Sequence, residues 1–175
     1  QLLLRWDVEE DEPIPENALE AIYDQAINNL SDADCVILSD YGQGVVNDSG
    51  VEKIAKHAQK LKIPIIADPK LTGLHRTHNV DWIIFQSRGF ELMKRRIGEG
   101  DDSVAAKSLL ESYGWKHLVV LAGGNGVTIY SQSEHTVHVA CTLPQLRQVI
   151  GLIDAAVVAI AVSISNGFTV SDTCL

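Results

Sequence analysis

The chain has 175 residues, 46% hydrophobic and 21% charged, which suffices for one sizeable core and is too apolar for a disordered chain. Its 14 basic and 23 acidic residues leave a net charge of -9, which argues against nucleic acid or an acidic membrane as a bulk partner, because both call for a basic surface. The three cysteines (Cys35, Cys141, Cys174) are odd in number and widely spaced with no CxxC pair, which disfavours a disulfide framework or thiolate zinc site and fits a reducing, cytoplasmic setting.

No signal or transit peptide is recognisable, and Gln1 is not a start methionine, so the chain reads as an excised piece of something longer. Leu2–Val8 suggests a strand within Gln1–Glu10. After an acidic, proline-broken connection, Leu19, Ile22, Tyr23, Ala26, Ile27 and Leu30 recur at helical spacing over Glu16–Leu30. Cys35–Leu38 is a compact apolar run, expected to be a strand buried on both faces. Asn47, Asp48 and Ser49 offer N-caps for a helix reaching Lys62, and Ile63–Ala67 is a second buried strand running into Asp68-Pro69-Lys70.

Trp82–Phe85 is a further strand, and Gly89–Arg96 a short helix followed by a turn over Gly98–Asp102. Ser103–Tyr113 reads as a helix, His117–Leu121 as a strand and Gly123–Gly126 as a tight turn. Val127–Ser131 and His135–Val139 alternate across a polar turn, which predicts a hairpin. Met93 and the aromatic residues read as core. The most apolar run, Val149–Ile164, is 16 residues long and contains Asp154, too short and too polar for a bilayer span; Leu152–Ser165 is expected as a buried helix ended by Gly167. Ser171–Leu175 looks like the start of another helix.

Strands alternating with helices predict an α/β fold, a doubly wound, mostly parallel sheet with a hairpin in its C-terminal half. No repeat or linker stands out. In such sheets ligands bind beyond the carboxyl ends of the strands, so the strand-end loops matter most.

Each loop reads two ways. Ser39–Gly44 is either a ligand loop with a carboxylate at Asp40 or a turn in which Asp40 caps backbone amides. Asp68-Pro69-Lys70 either meets a phosphate with Lys70 and orients water or a metal with Asp68, or forms a rigid turn with a surface ion pair. Gly123-Gly124-Asn125-Gly126 either brings amides to a nucleotide or only turns the chain into the hairpin; it is neither a P-loop nor GxGxxG. Asp154 in the first turn of the apolar helix is either a base beside an anion site or a dipole-stabilising carboxylate. Of the pairs His75/His78 and His135/His138, the second falls in a predicted strand, where residues three apart face opposite sides, and the first has no partner carboxylate motif; neither points to a metal.

Taken in order, these loops resemble the ribokinase-like (PfkB-type) carbohydrate kinases, most of all the heptose-7-phosphate kinase domains within them. The carriers are Arg5, Asp7 and Glu9 in QLLLRWDVEE, the stretch VILSDYGQG at Val36–Gly44, IIADPK at Ile65–Lys70, and Leu118–Gly126 on the nucleotide-site loop. The resemblance implies a single partial ribokinase-like domain over 1–175, with the family's first part and extreme C-terminus absent. It implies ATP-dependent phosphoryl transfer to a sugar hydroxyl, with ATP and Mg2+ as cofactors. Asp154 takes the base position and Gly151 the first glycine of the anion hole. Gly123, Asn125, Gly126 and Lys70 fall on nucleotide or phosphate contacts, Asp40 and Tyr41 on the sugar site, and Glu91 on the magnesium-linked position.

The match departs from the family at several of these places. Gln43 stands for a usual lysine, Gln148 for the leading Asp of the signature, and Leu152-Ile153 for Ala-Gly. Leu121 replaces a common hydroxyl residue; Phe85–Glu91 lacks the expected Asn and displaces Glu91 by one. A β-branched Ile where glycine lets backbone approach a phosphate crowds the anion, so impaired activity is expected. The alternatives are a catalytically silent module and a fragment that needs a complementary chain. The expected partners are a small sugar phosphate and a nucleotide, without nucleic acid or membrane, and an open sheet edge would admit a homodimer.

Overall fold

The structure is a computed structural model, and it describes residues 12–141 and 151–170. The strand expected within Gln1–Glu10, the Gln148 position, Cys174 and the helix start at Ser171 lie outside the described residues.

Six strands form one sheet: β1 (Val36–Ser39), β2 (Ile65–Asp68), β3 (Trp82–Gln86), β4 (His117–Leu121), β5 (Val127–Ser131) and β6 (Val137–Val139). They lie side by side in chain order; β1 to β4 are parallel, and β4, β5 and β6 are antiparallel. Helices α1 (Glu16–Asn28), α2 (Asp48–Leu61), α3 (Ser87–Ile97), α4 (Asp102–Tyr113) and α5 (Leu152–Ser165) complete the layers.

The apolar runs of β2, β3 and β4 are continuous because successive side chains enter opposite cores. Ala67, Ile83, Phe85, Leu118 and Val120 pack under α2, α3 and α4 with Val51, Ala58, Phe90, Met93 and Leu109. Ile66, Ile84, Val119 and Leu121 face the other way, against Val157 and Ile160 of α5. Each fully buried aliphatic side chain contributes roughly 1.5–3 kcal/mol. Trp115, with no exposed surface, closes the first core; its ring stacks on Tyr113 and its Nε1 donates to the carbonyl of Thr77 at 2.8 Å.

The helix ends follow from local chemistry. Asn47 caps α2 by accepting from the Gly50 amide at 2.8 Å, and Asp101 caps α4 by accepting from Ser103 and Val104. Gly98 (φ 76°) and Gly114 (φ 70°) end α3 and α4 in the left-handed conformation that suits a residue without a side chain. Lys94 of α3 is buried between Glu91 and Asp102, tying α3 to the start of α4.

Several elements differ from expectation. β1 is not buried on both faces: Leu38 is buried, but Ile37 is 44% exposed, because β1 is an edge strand among the described residues. Helix α1 stops at Asn28 and the chain tightens into a 3₁₀ turn over Leu30–Asp32. α3 begins two residues before Gly89, directly from the end of β3. A seven-residue 3₁₀ segment, Leu71–Thr77, follows β2 where sequence periodicity gave no element. His135 lies outside β6, whereas His138 is in it and meets Thr128 across the hairpin at 2.9 Å. Met93 is core as expected, but the aromatic residues Tyr41 and Phe168 are exposed. Cys35 and Cys141 are free thiols.

Candidate active site

Ser39 lies opposite Asp68, and Gln86 opposite Leu121. The carboxyl ends of β1 to β4 therefore share one edge, and the loops that follow them open on the same side. Helix α5 delivers its first turn to this edge through Gly151, whose φ of 78° swings the chain into the helix, and no side chain caps that end. The first-turn amides of such a helix and its dipole favour an anion.

A cleft of about 550 Å³ results, lined by Asp40, Tyr41, Asp68, Lys70, Gly151 and Asp154, with Ile153 and Arg88 also on its wall. The phenol of Tyr41 donates to Asp154 Oδ1 at 3.0 Å, joining residues 113 positions apart. That bond, and the carboxylate charge behind it, raise the Tyr41 pKa, so the hydroxyl stays a donor at neutral pH. Asp68 sits between the carboxylates. Burial first, and then the charge of Asp154, push its pKa up to about 6; Lys70 opposes the rise and Asp40 adds to it. Close like charges of this kind are typical of functional clefts.

Asp40 is nearly buried. Its Oδ1 accepts from the Gly42 amide at 2.8 Å, and its Oδ2 accepts from Arg76 at 3.4 Å. It thus makes the turn-capping bond of the plainer reading while lining the cleft. Gly42 (φ 78°) lies against the Lys70 stem, so the two loops touch.

The structure brings together Asp40, Tyr41, Lys70, Gly151 and Asp154. Gly123, Asn125 and Gly126 do not line this cleft. They form a 3₁₀ turn beyond β4, where Gly126 donates to the Gly123 carbonyl at 2.9 Å. Gly126 (φ 90°) passes so near the Val139 carbonyl that a side chain there would collide with it. Glu91 lies on α3 and accepts from Lys94 at 3.0 Å, away from the cleft wall. Among the described residues no group of three His, Cys, Asp or Glu side chains is placed to hold a metal ion.

A larger groove, about 1,070 Å³, runs between α2 and the 71–81 connection. Of the cations on its wall Lys56, Arg76 and Lys116 pair with Glu52, Asp48 and Asp81, while Lys62 also lines it, and the loops after β1 and β3 do not reach it. Asp68 was read from sequence as a carboxylate able to orient water or a metal, whereas Arg88 on the cleft wall and Arg76, which lines the larger groove and touches Asp40, were missed. Arg76 carried no local signal, since only the 3₁₀ path of Leu71–Thr77 turns it toward Asp40.

The mostly parallel sheet with helices on both faces and an antiparallel hairpin at one edge is the ribokinase-like fold. Solved structures agree: phosphofructokinase-2 from Escherichia coli in complex with fructose-6-phosphate superposes with a TM-score of 0.70 at 19% identity, covering 93% of this chain and 54% of that one. Arabidopsis thaliana ribokinase complexed with ribose and ATP gives 0.65 at 20%, covering 93% and 50%.

In sequence the chain is similar to the bifunctional protein HldE. It is 28% identical to that of Shewanella piezotolerans over 177 residues and 29% identical to that of Hyphomonas neptunium over 174, spanning 36% and 35% of their lengths. No family model matches the chain.

Proposed function

We propose that the chain is one partial ribokinase-like domain, 1–175, of a sugar kinase that transfers the γ-phosphoryl group of ATP to a hydroxyl of a phosphorylated sugar such as heptose 7-phosphate. The observation that carries this reading is the placement of Asp154 in the first turn of α5, in one cleft with Asp40, Asp68 and Lys70. Bound ATP supplies the phosphoryl group; the protein's part is positioning and charge.

Asp154 accepts the proton of the attacking sugar hydroxyl, which takes the place of the Tyr41 hydroxyl on that carboxylate. Asp40 and Tyr41 orient the sugar through hydrogen bonds. Lys70 and the amides that follow Gly151 meet the negative charge of the transferring group. Gly123, Asn125 and Gly126, at the adjacent strand end, serve as nucleotide contacts, with Glu91 the carboxylate nearest the magnesium-linked position in sequence. The free thiols of Cys35 and Cys141 fit a reducing, cytoplasmic setting, and the exposed edge at β1 among the described residues would admit a homodimer. Among the described residues no helix is long and apolar enough to cross a membrane.

The turnover is weak in this reading, because Ile153 brings a branched side chain to the cleft wall where close approach of backbone to phosphate needs none. The same residue favours a second reading, a catalytically silent ribokinase-fold module that binds ATP weakly or not at all. Calorimetric titration with ATP in magnesium buffer, beside a coupled ADP-release assay with heptose 7-phosphate, separates the two. A kinase binds ATP and releases ADP only with the sugar, and Ile153→Gly increases that rate. Neither ATP binding nor sugar-dependent ADP release, in either form, would support the silent module.

A further inference from the structure

Arg76 stands on the wall between the two hollows of the molecule. It lines the large groove beside α2 and reaches through to a carboxylate of the active cleft. Its Nε donates to Asp48 Oδ1 at 2.6 Å, and Asp48 lies in the first turn of α2. His75 meets the same oxygen at 3.0 Å. Its NH1 faces Asp40 Oδ2 at 3.4 Å from the side opposite the Gly42 amide. Arg76 is three-quarters buried and Asp40 almost wholly so, so water screens the contact little. Gly73 leaves just enough room: a Cβ at that position would lie 2.5 Å from Asp40 Oδ2 and 2.9 Å from Arg76 NH1.

We propose that Arg76 is a positioning residue for the cleft: anchored by Asp48, its guanidinium fixes the direction in which Asp40 presents its carboxylate. The planar guanidinium carries its Nε and Nη1 donors in a fixed fork and so sets the angle between the two carboxylates, which a freely rotating ammonium group does not. The Asp40 side chain is then clamped between the Gly42 amide and Arg76 before any ligand arrives. Its consequence for sugar binding rests on the kinase reading above; the clamp itself does not.

The test is amide hydrogen exchange by NMR in the wild type, Arg76→Gln, Arg76→Lys and Gly73→Ala. The Gly42 amide, bonded to Asp40, is expected to exchange about tenfold faster in Arg76→Gln, as befits loss of one bond's worth of protection, with Arg76→Lys intermediate. The Gly50 amide, bonded to Asn47 at the same helix end, stays unchanged. Gly73→Ala keeps the arginine but wedges the pair apart, so it is expected to reproduce the Gly42 effect even if Arg76→Gln fails to fold. Unchanged Gly42 exchange in Gly73→Ala, or equal acceleration of Gly42 and Gly50, overturns the proposal. In kinetics, Arg76→Gln is expected to raise the KM for heptose 7-phosphate about tenfold and leave kcat within about twofold. A wild type that never turns over the sugar counts against the kinase reading, and the exchange result still decides the role of Arg76.

Discussion

At the scale of single residues, the cleft concentrates negative charge. Asp68 carries its consequence. Its pKa of about 6 in the folded chain lies above its ordinary value of 3.8, so the native state holds a proton that the unfolded chain has lost. Stability is therefore expected to fall as pH rises from about 4 through 6, and to stay lower above that window. Asp68→Asn removes the half-buried charge and its repulsion by Asp154. It is expected to stabilise the protein at pH 7.5 by about 1 kcal/mol, the roughly 3 kcal/mol equivalent of the shift being discounted because the cleft is open to water. At pH 4 the two forms should melt together. Thermal denaturation at the two pH values checks this, and equal melting temperatures at pH 7.5 would contradict it.

Elements are held by close approaches as much as by apolar area. Helix α1 crosses α2 where Gly50 lies under the ring of Tyr23, so near that any side chain at position 50 would overlap the ring. The Tyr23 hydroxyl donates to the Val45 carbonyl at 2.7 Å and accepts from the Asn47 amide at 3.1 Å, fixing the chain as it enters α2. Gly50→Ala is expected to cost about 1–3 kcal/mol by overpacking. Tyr23→Phe should cost about 0.5–1.5 kcal/mol through the two part-buried hydrogen bonds lost. Chemical denaturation measures both, and a neutral Gly50→Ala would show that α1 packs elsewhere.

The same scale shows what was legible in sequence. The bounds of β4, β5 and α5 were readable to the residue, because strict alternation or a long apolar run bounded by glycine leaves little choice, but α5 is not the buried helix expected: it covers one face of the sheet and leaves Val158 and Val162 more than half exposed. The exposure of Ile37 was not, since an apolar run looks alike in a central strand and at an edge. The strand-end loops announced Asp40 and Lys70 through their place after predicted strands, and the first turn of the apolar helix announced Asp154. Meeting of Tyr41 with Asp154, and of Arg76 with Asp40, depends on tertiary structure over separations of 113 and 36 residues, for which local pattern holds no signal.

For the whole molecule, the sheet acts as a ruler. Parallel pairing in register from β1 to β4 sets the strand-end loops along one edge, and α5, packed on the opposite face from α2, α3 and α4, brings its first turn to the same edge. Two faces of the sheet thus contribute to one cleft, the arrangement expected of an open α/β sheet. The same arrangement leaves apolar Ile37, Val158, Val162 and Phe168 exposed. The chain spans about a third of the length of the HldE proteins it matches and about half of the kinase structures.

The most direct measurement is phosphorus NMR of heptose 7-phosphate incubated with ATP, magnesium and either the wild-type chain or Asp154→Asn. The account predicts a second, sugar-bound phosphate signal that accumulates with the wild type and is reduced at least about a hundredfold by the substitution, the usual cost of removing a general base. An equal rate in the two proteins would contradict it, because the carboxylate at the head of α5 would then take no part in the chemistry.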